Sequence, residues 1–303
     1  MRHPYASAAY AGALADAEGG GVLEIPEWGA HAILRPIRGG LIDAAGTYPR
    51  TPLTPASRLA HGVSRLRQSG AVSVVLVPDP MCATPPAELA AAFEHCRPFK
   101  THFVADRRAA GDWPSKPHRY KIRKARRACQ VERLRLADAL DDWTGLYGGL
   151  TRRHGIGGAA DFTAAYFRAL ADDPAYQTFA ARIDGRIVAM AIWFAHQDFA
   201  SYHLGASDAA GYAVGASYAI FDAAFEHYAD AARFDLGGAA GLEPRPDDGL
   251  VRFKRGFSNA AATAYICGQV LDAAAYARLS APHGPTGFFP AYRAPTVRQS
   301  AAA

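Results

Sequence analysis

Asp184-Gly185 constrains the fold of this chain more than any other pair of residues. The dipeptide tolerates positive φ at the centre of a two-residue turn, so the apolar stretches 176–183 and 186–194 on either side should pair as an antiparallel hairpin. A third strand over 199–205 should join them.

Around that hairpin the sequence reads as strands and helices in alternation. Strands are expected at 22–25 and 31–37, followed by turn-rich sequence through Gly39-Gly40 and Thr47-Tyr48-Pro49. Thr54-Pro55 should cap a helix running to about Gln68, and the β-branched run 71–77 is a buried strand. A helix from Thr84-Pro85-Pro86 to Cys96 and a strand over 99–105 complete the first part. Beyond it come a basic helix around 118–127, a strand over 130–136, a helix capped by Asp138, and another from about Asp161 to Leu170. After the hairpin, Gly211 to Ser217 leads into a helix carrying Ile220, Phe221, Phe225 and Tyr228. A short strand 233–236 ends at Gly237-Gly238, and the last strand spans 263–271.

At 303 residues the chain exceeds one typical domain, so two joined halves or one large domain are expected. Half of the residues are hydrophobic and a fifth are charged, the composition of a chain that folds. No apolar run reaches the ~20 residues needed to cross a bilayer. The opening residues are interrupted by His3, Pro4, Asp16 and Glu18, so neither a signal peptide nor an anchor is expected, and the location should be cytoplasmic. Cys82, Cys96, Cys129 and Cys267 form no C-x-x-C pair, which argues for reduced thiols and against a metal site. The net charge of +5 is concentrated: residues 116–135 carry nine Lys or Arg against Glu132, a local balance of +8, and the rest of the chain sums to −3.

Several residues could carry chemistry. Gly215, Ala216 and Ser217 open a helix, where free N–H groups and the helix dipole suit an anionic donor, although an ordinary capped helix fits the same residues. Asp235 precedes paired glycines at a strand end, as an acid or base or as a carboxylate that satisfies loop N–H groups. Lys254 could stabilise charge developing on a carbonyl or phosphate, or sit in solvent. Of Tyr202 and His203, strand alternation directs only one toward any given face, where it could relay a proton. Arg119, Lys121, Arg123 and Lys124 on the basic helix could hold donor phosphates or form a solvated face.

The run Tyr202-His203-Leu204-Gly205-Ala206-Ser207, the glycine-bearing helix entry, Phe234-Asp235-Leu236-Gly237-Gly238 and Phe253-Lys254-Arg255-Gly256-Phe257 together resemble the C-terminal half of Fem-type transferases, a branch of the GNAT superfamily. The basic segment from Arg119 to Arg127 ahead of Val131-Glu132 is similar to the helix that opens that half. The resemblance covers about 116–271 and is faint over the first 110 residues. It implies an α/β fold of two GNAT-like halves, each a mixed, mostly antiparallel sheet flanked by helices, with a cleft between them. It also implies direct attack of an amine on an activated carbonyl, with Lys254 near the reacting group. Gly211-Tyr212-Ala213-Val214-Gly215-Ala216 lacks the leading basic residue of the pyrophosphate loop in ordinary acetyl-CoA users, and no inserted helical arm is present.

The resulting expectation is an N-terminal half over 1–115, a catalytic half over 116–280 and a flexible tail over 281–303. The activity expected is transfer of an acyl or aminoacyl group from acyl-CoA or aminoacyl-tRNA, used as co-substrate with no tightly bound cofactor, to a small-molecule or peptide amine. Lys254, Asp235 and Tyr202 would be catalytic, and Arg119, Lys121, Arg123, Lys124 and Gly215 to Ser217 would bind the donor. The alternative is a non-catalytic nucleic-acid or phosphate-binding module on the same fold.

Overall fold

The structure is a computed structural model that describes residues 2–155, 157–158, 162–241, 248–283 and 287–294. In chain order the elements are α1 (Ala8–Ala17), β1 (Gly21–Ile25), β2 (Ala30–Ile37), β3 (Leu41–Gly46), α2 (Leu59–Gln68), β4 (Ser73–Leu76), α3 (Pro86–Ala92), β5 (His95–Asp106), α4 (Lys116–Ala128), β6 (Gln130–Leu134) and α5 (Leu140–His154). They continue as α6 (Ala164–Asp172), β7 (Tyr176–Ile183), β8 (Arg186–His196), β9 (Phe199–Ser207), α7 (Ala209–Val214), α8 (Ala216–His227), β10 (Arg233–Asp235), α9 (Gly249–Gly256), β11 (Ala260–Val270) and α10 (Ala273–Ser280). The chain divides into two compact units, one of residues 1–4 and 100–263, the other of 5–99 and 264–303.

In the first unit β7 and β8 pair antiparallel around Asp184 and Gly185, whose φ values of 49° and 80° are those the dipeptide was expected to supply. β9 pairs antiparallel with β8, β10 lies parallel to β9, and β5 lies antiparallel to β10; β6 covers the outer edge of β7. One face of this sheet packs against α4 and α8. There Ile122 and Ala125 meet Ile220, Phe221 and Phe225 over Phe179, Ala189, Ala191, Trp193 and Phe234. Each fully buried aromatic in such a core contributes ~1.5–3 kcal/mol through removal of apolar surface from water. On the other face Trp143 and Tyr147 of α5 stack on each other, and Phe167 of α6 meets both edge-on.

The second unit repeats this pattern. β1, β2 and β3 form an antiparallel meander, β4 lies parallel to β3 across the connection that holds α2, and β11 closes the unit antiparallel to β4. Three meandering strands, a parallel fourth and an antiparallel fifth are thus common to both units. In each case the fifth strand comes from the other part of the chain. This exchange explains why the units do not follow the expected limits at 115 and 280: β5 precedes the basic helix yet pairs with β10, and β11 follows the catalytic segment yet pairs with β4.

Local differences from the sequence reading have identifiable causes. Thr54 and Ser57 close a turn on each other, with Ser57 N–H donating to Thr54 O and Thr54 N–H donating to Ser57 Oγ, so the helix expected at Thr54 starts at Leu59. Phe93 has extended backbone angles that end α3, and Cys96 therefore lies in β5 and not in a helix. β3 occupies the stretch read as turns, and α1 and α10 were not expected. The start proposed near Asp161 lies outside the described residues, and Thr163 caps α6. Within the segment expected to be a flexible tail, Tyr292 and Arg293 fold back onto buried Asp43. The Tyr292 hydroxyl donates to the carboxylate at 3.2 Å and Arg293 Nε donates at 2.6 Å, while Arg35 binds the same carboxylate from β2. A buried carboxylate requires such partners, and they tie down the described part of this segment.

Candidate active site

The site is built where two parallel strands part. β10 pairs with β9 only through Arg233, Phe234 and Asp235, opposite Phe199, Ala200 and Ser201. Past Asp235 the chain follows β5 instead: Leu236 N–H donates to Phe103 O at 2.9 Å and Phe103 N–H donates to Gly237 O at 3.1 Å. Among the described residues no strand then pairs with the edge of β9 from Tyr202 to Ser207 on the side that β10 has left.

The turn at this fork needs glycine. Gly237 has φ of 73°, and a Cβ there would lie 3.3 Å from Lys254 Nζ. Two side chains hold the turn. The buried Asp235 carboxylate accepts Gly237 N–H at 2.8 Å, and Lys254 Nζ donates to Gly238 O at 2.7 Å. Lys254 is only 5% exposed, so its ammonium points into the unit and not into solvent. It lies 5.7 Å from the centroid of the Tyr202 ring.

Lys254 is placed by its helix. Asp248 caps α9 by accepting Leu250 N–H, and Phe253 and Phe257 anchor the helix against Tyr218 and Phe221 at ring separations of 4.8–5.8 Å. His118 of α4 completes the anchor: its Nε2 donates to Phe253 O at 2.9 Å, and Ser115 Oγ lies 3.2 Å from Nδ1. Burial, offset in part by that carbonyl and reinforced by the Lys121 charge, lowers the pKa of His118 and keeps the ring neutral. Gly256 is required because a Cβ there would fall inside the His118 ring. The pattern Phe-Lys-Arg-Gly-Phe thus places one ammonium between two aromatic anchors and a glycine.

Tyr202 lies on the same sheet face, half-buried between Trp193 and Phe221 at ring separations of 5.5 and 5.0 Å. Burial, with smaller contributions from Tyr212 and Tyr147, pushes its pKa well above the ordinary phenol value, so the group stays protonated and is a donor, not a base. The hydroxyl makes no hydrogen bond to the described residues, and Gly205 leaves it room, since a Cβ there would come within 2.6 Å of it. His203 faces the other way, 2.7 Å from Tyr166 OH.

Two further groups at the fork were missed in the sequence. His102 of β5 donates from Nδ1 to Asp235 at 3.0 and 3.1 Å, and Lys100 Nζ donates to Ala239 O at 3.3 Å, with burial lowering its pKa. Both stand on the expected strand 99–105 two residues apart and so share one face, a signal that was available.

The expected donor-binding residues are divided. Gly215, with φ of 70°, ends α7 and starts α8 without a side-chain cap; Ala216 is buried, and Ser217 Oγ lies 3.3 Å from Ser207 Oγ. Lys121 joins them by donating to Tyr218 OH at 3.1 Å. Arg119 turns to Pro114 O and Asp112. Arg123 and Lys124 point outward with Lys116, Tyr120 and Arg127, on the helix face opposite His118, Ile122 and Ala125, and these four cations have no partner among the described residues.

Tyr202, Asp235 and Lys254 all fall within a segment that matches a known domain. The family model of the acetyltransferase (GNAT) domain matches residues 116–255. The match runs from the start of α4 into α9. In fold the chain is similar to the C-terminal domain of a protein described as a lysylphosphatidylglycerol synthetase from Agrobacterium fabrum, with TM-score 0.59 and 17% identity over 86% of this chain and 87% of that one. It is also similar to FemX, with TM-score 0.59 and 13% identity over 81% and 85% of the two chains, and to L-PGS from Bacillus licheniformis, with TM-score 0.54 and 14% identity over 88% and 92%. No curated protein matches in sequence. The GNAT domain makes the chain an acyltransferase in general class. Among the described residues no helix is long and apolar enough to cross a membrane.

Proposed function

We propose that the GNAT domain is an N-acyltransferase that moves an activated acyl or aminoacyl group from a phosphate-bearing donor to an amine by direct attack. The observation that carries this reading is the buried Lys254 ammonium, held at Gly238 O beside the Tyr202 phenol at the strand fork. The amine nitrogen forms a bond to the donor carbonyl carbon, and negative charge collects on the carbonyl oxygen, where Lys254 stabilises it. The bond to the leaving oxygen or sulfur then breaks, and the leaving atom takes its proton from Tyr202. The proton lost by the amine goes toward the imidazole–carboxylate pair of His102 and Asp235, and after product release this pair gives a proton up to solvent while Tyr202 takes one back. Positioning of the two substrates supplies much of the remaining rate.

Of the two donors, aminoacyl-tRNA fits better than acyl-CoA. The outward row Lys116, Arg123, Lys124 and Arg127 on α4 offers cations with no partner among the described residues along a helix face, which suits an extended polyanion. Acyl-CoA needs only the few donors near Gly215 and Lys121. Incubation of the protein with each donor and a panel of amines, followed by mass spectrometry of the products, tests the reading. Consumption of acyl-CoA alone overturns the choice of donor, and consumption of neither overturns catalysis in favour of the phosphate-binding module.

Two outcomes follow from the residue roles. Arg123→Ala with Lys124→Ala should reduce the steepness of log K for tRNA against log salt by about 1.5, because each lost phosphate contact removes ~0.7–0.9 from the slope. Binding of acyl-CoA by the same variant should be unchanged. Tyr202→Phe should lower kcat by about 10²-fold or more and leave donor affinity intact, with a larger loss for donors whose leaving group is more basic. Equal loss for all leaving groups would remove Tyr202 from the role of acid.

A further inference from the structure

Cys96, near the start of β5, and Cys267, near the end of β11, lie with their sulfurs 3.6 Å apart as free thiols. Two sulfurs at that distance are in van der Waals contact, and a disulfide bond of ~2.05 Å is reached by closing the gap by about 1.5 Å. Both residues belong to the same compact unit. The chain around them is held on both sides. Cys267 stands in register with Leu76, at the end of the β11–β4 ladder. Glu94, two residues before Cys96, donates its N–H to Gln269 Oε1 at 3.0 Å, and its carboxylate accepts from Gln269 Nε2 at 2.8 Å and Val270 N–H at 3.2 Å.

The two thiols differ in access. Cys96 is partly exposed on a stretch with His95 and Arg97 as charged or titratable neighbours, and Cys267 is fully buried. The remaining cysteines, Cys82 and Cys129, are buried, and Cys129 Sγ donates to Ala125 O at 3.3 Å.

From this juxtaposition we infer that Cys96 and Cys267 form a dithiol modification site whose substrate is a small disulfide of the glutathione class. Cys96 reacts first. Its thiolate bonds to one sulfur of the oxidised small disulfide, that disulfide bond breaks, and one thiol leaves. Cys267 then loses its proton, its sulfur bonds to Cys96 Sγ, and the second small thiol leaves with a proton. The protein loses two electrons and two protons, and one small disulfide becomes two thiols. Burial, with the adjacent Cys96 adding to it, pushes the Cys267 thiol up, so this second step is the slow one.

The test uses the full chain in buffers of increasing ratio of oxidised to reduced glutathione, quenched by alkylation and digested without reduction. The expected result is a cross-linked peptide pair containing Cys96 and Cys267, a loss of two alkylatable thiols from the four present, and full recovery with dithiothreitol. In Cys267→Ser, Cys96 should instead accumulate as a stable mixed disulfide with glutathione. The inference is overturned if wild-type protein stops at that mixed disulfide with Cys267 still alkylatable after unfolding, or if Cys82 or Cys129 supplies the cross-link. The wild-type digest alone decides between these outcomes, whether or not the variant folds.

Discussion

Replacement of Lys254 by methionine is expected to lower kcat/KM by about 10²–10³, the range for loss of one group that stabilises charge in an acyl-transfer transition state. Methionine keeps most of the side-chain length and loses the ammonium, so the loss should fall on kcat while donor affinity stays within a few fold. The variant also leaves Gly238 O, in a half-buried turn, without the donor now 2.7 Å away, and loss of such a hydrogen bond costs ~0.5–1.5 kcal/mol of stability. Thermal unfolding measured beside the kinetics separates the two effects. Lys254→Arg should not fully restore activity, because a planar guanidinium cannot present its charge at Gly238 O from the position that the compact ammonium occupies. Retained kcat in the folded methionine variant would remove Lys254 from the chemistry and leave it as a brace for the turn.

The sequence disclosed the parts of this site that depend on short-range rules. Asp184-Gly185 set the hairpin because two consecutive positive φ angles are a local requirement, and β7 ends and β8 begins where that turn demands. The alternation of Tyr202 and His203 allowed only one of them on the face that Lys254 shares, and the side on which Tyr166 packs decides which. Long-range pairing was not legible. β5 and β11 each close a sheet with strands far away in sequence, and nothing local marks a strand as belonging to one unit or the other. For the same reason His102 escaped notice although its strand was recognised: its partner, Asp235, is 133 residues away. The basic helix shows a different limit. Charge density identified the segment, but only the helix face separates Lys121, beside Tyr218, from Arg123 and Lys124 in solvent.

Gly256→Ala should disable the enzyme from a position packed against the His118 ring. The added Cβ would fall inside the ring of His118, which cannot swing away without breaking its bond to Phe253 O at 2.9 Å and its contact with Ser115 Oγ. Relief therefore has to come from α9, and α9 carries Lys254. Overpacking of this kind costs ~1–3 kcal/mol, and a displacement of Lys254 by a fraction of an ångström should cost activity well beyond that loss of stability. His118→Ala removes the obstacle and also a side chain that is neutral when folded, so the single variant should lose stability through the cavity and the missing Phe253 bond. Because folding lowers the pKa of His118, the unfolded chain of the parent protein takes up the proton first as pH falls through the ordinary histidine value. The His118 contribution is thus present above that pH and lost below it, a dependence that His118→Ala should abolish. Combining the two substitutions is the decisive measurement: the alanine at 256 should cost less in the His118→Ala background, with a coupling of ~1 kcal/mol or more and partial recovery of kcat. Strictly additive effects would show that Gly256 is needed for a reason other than the ring packed against it.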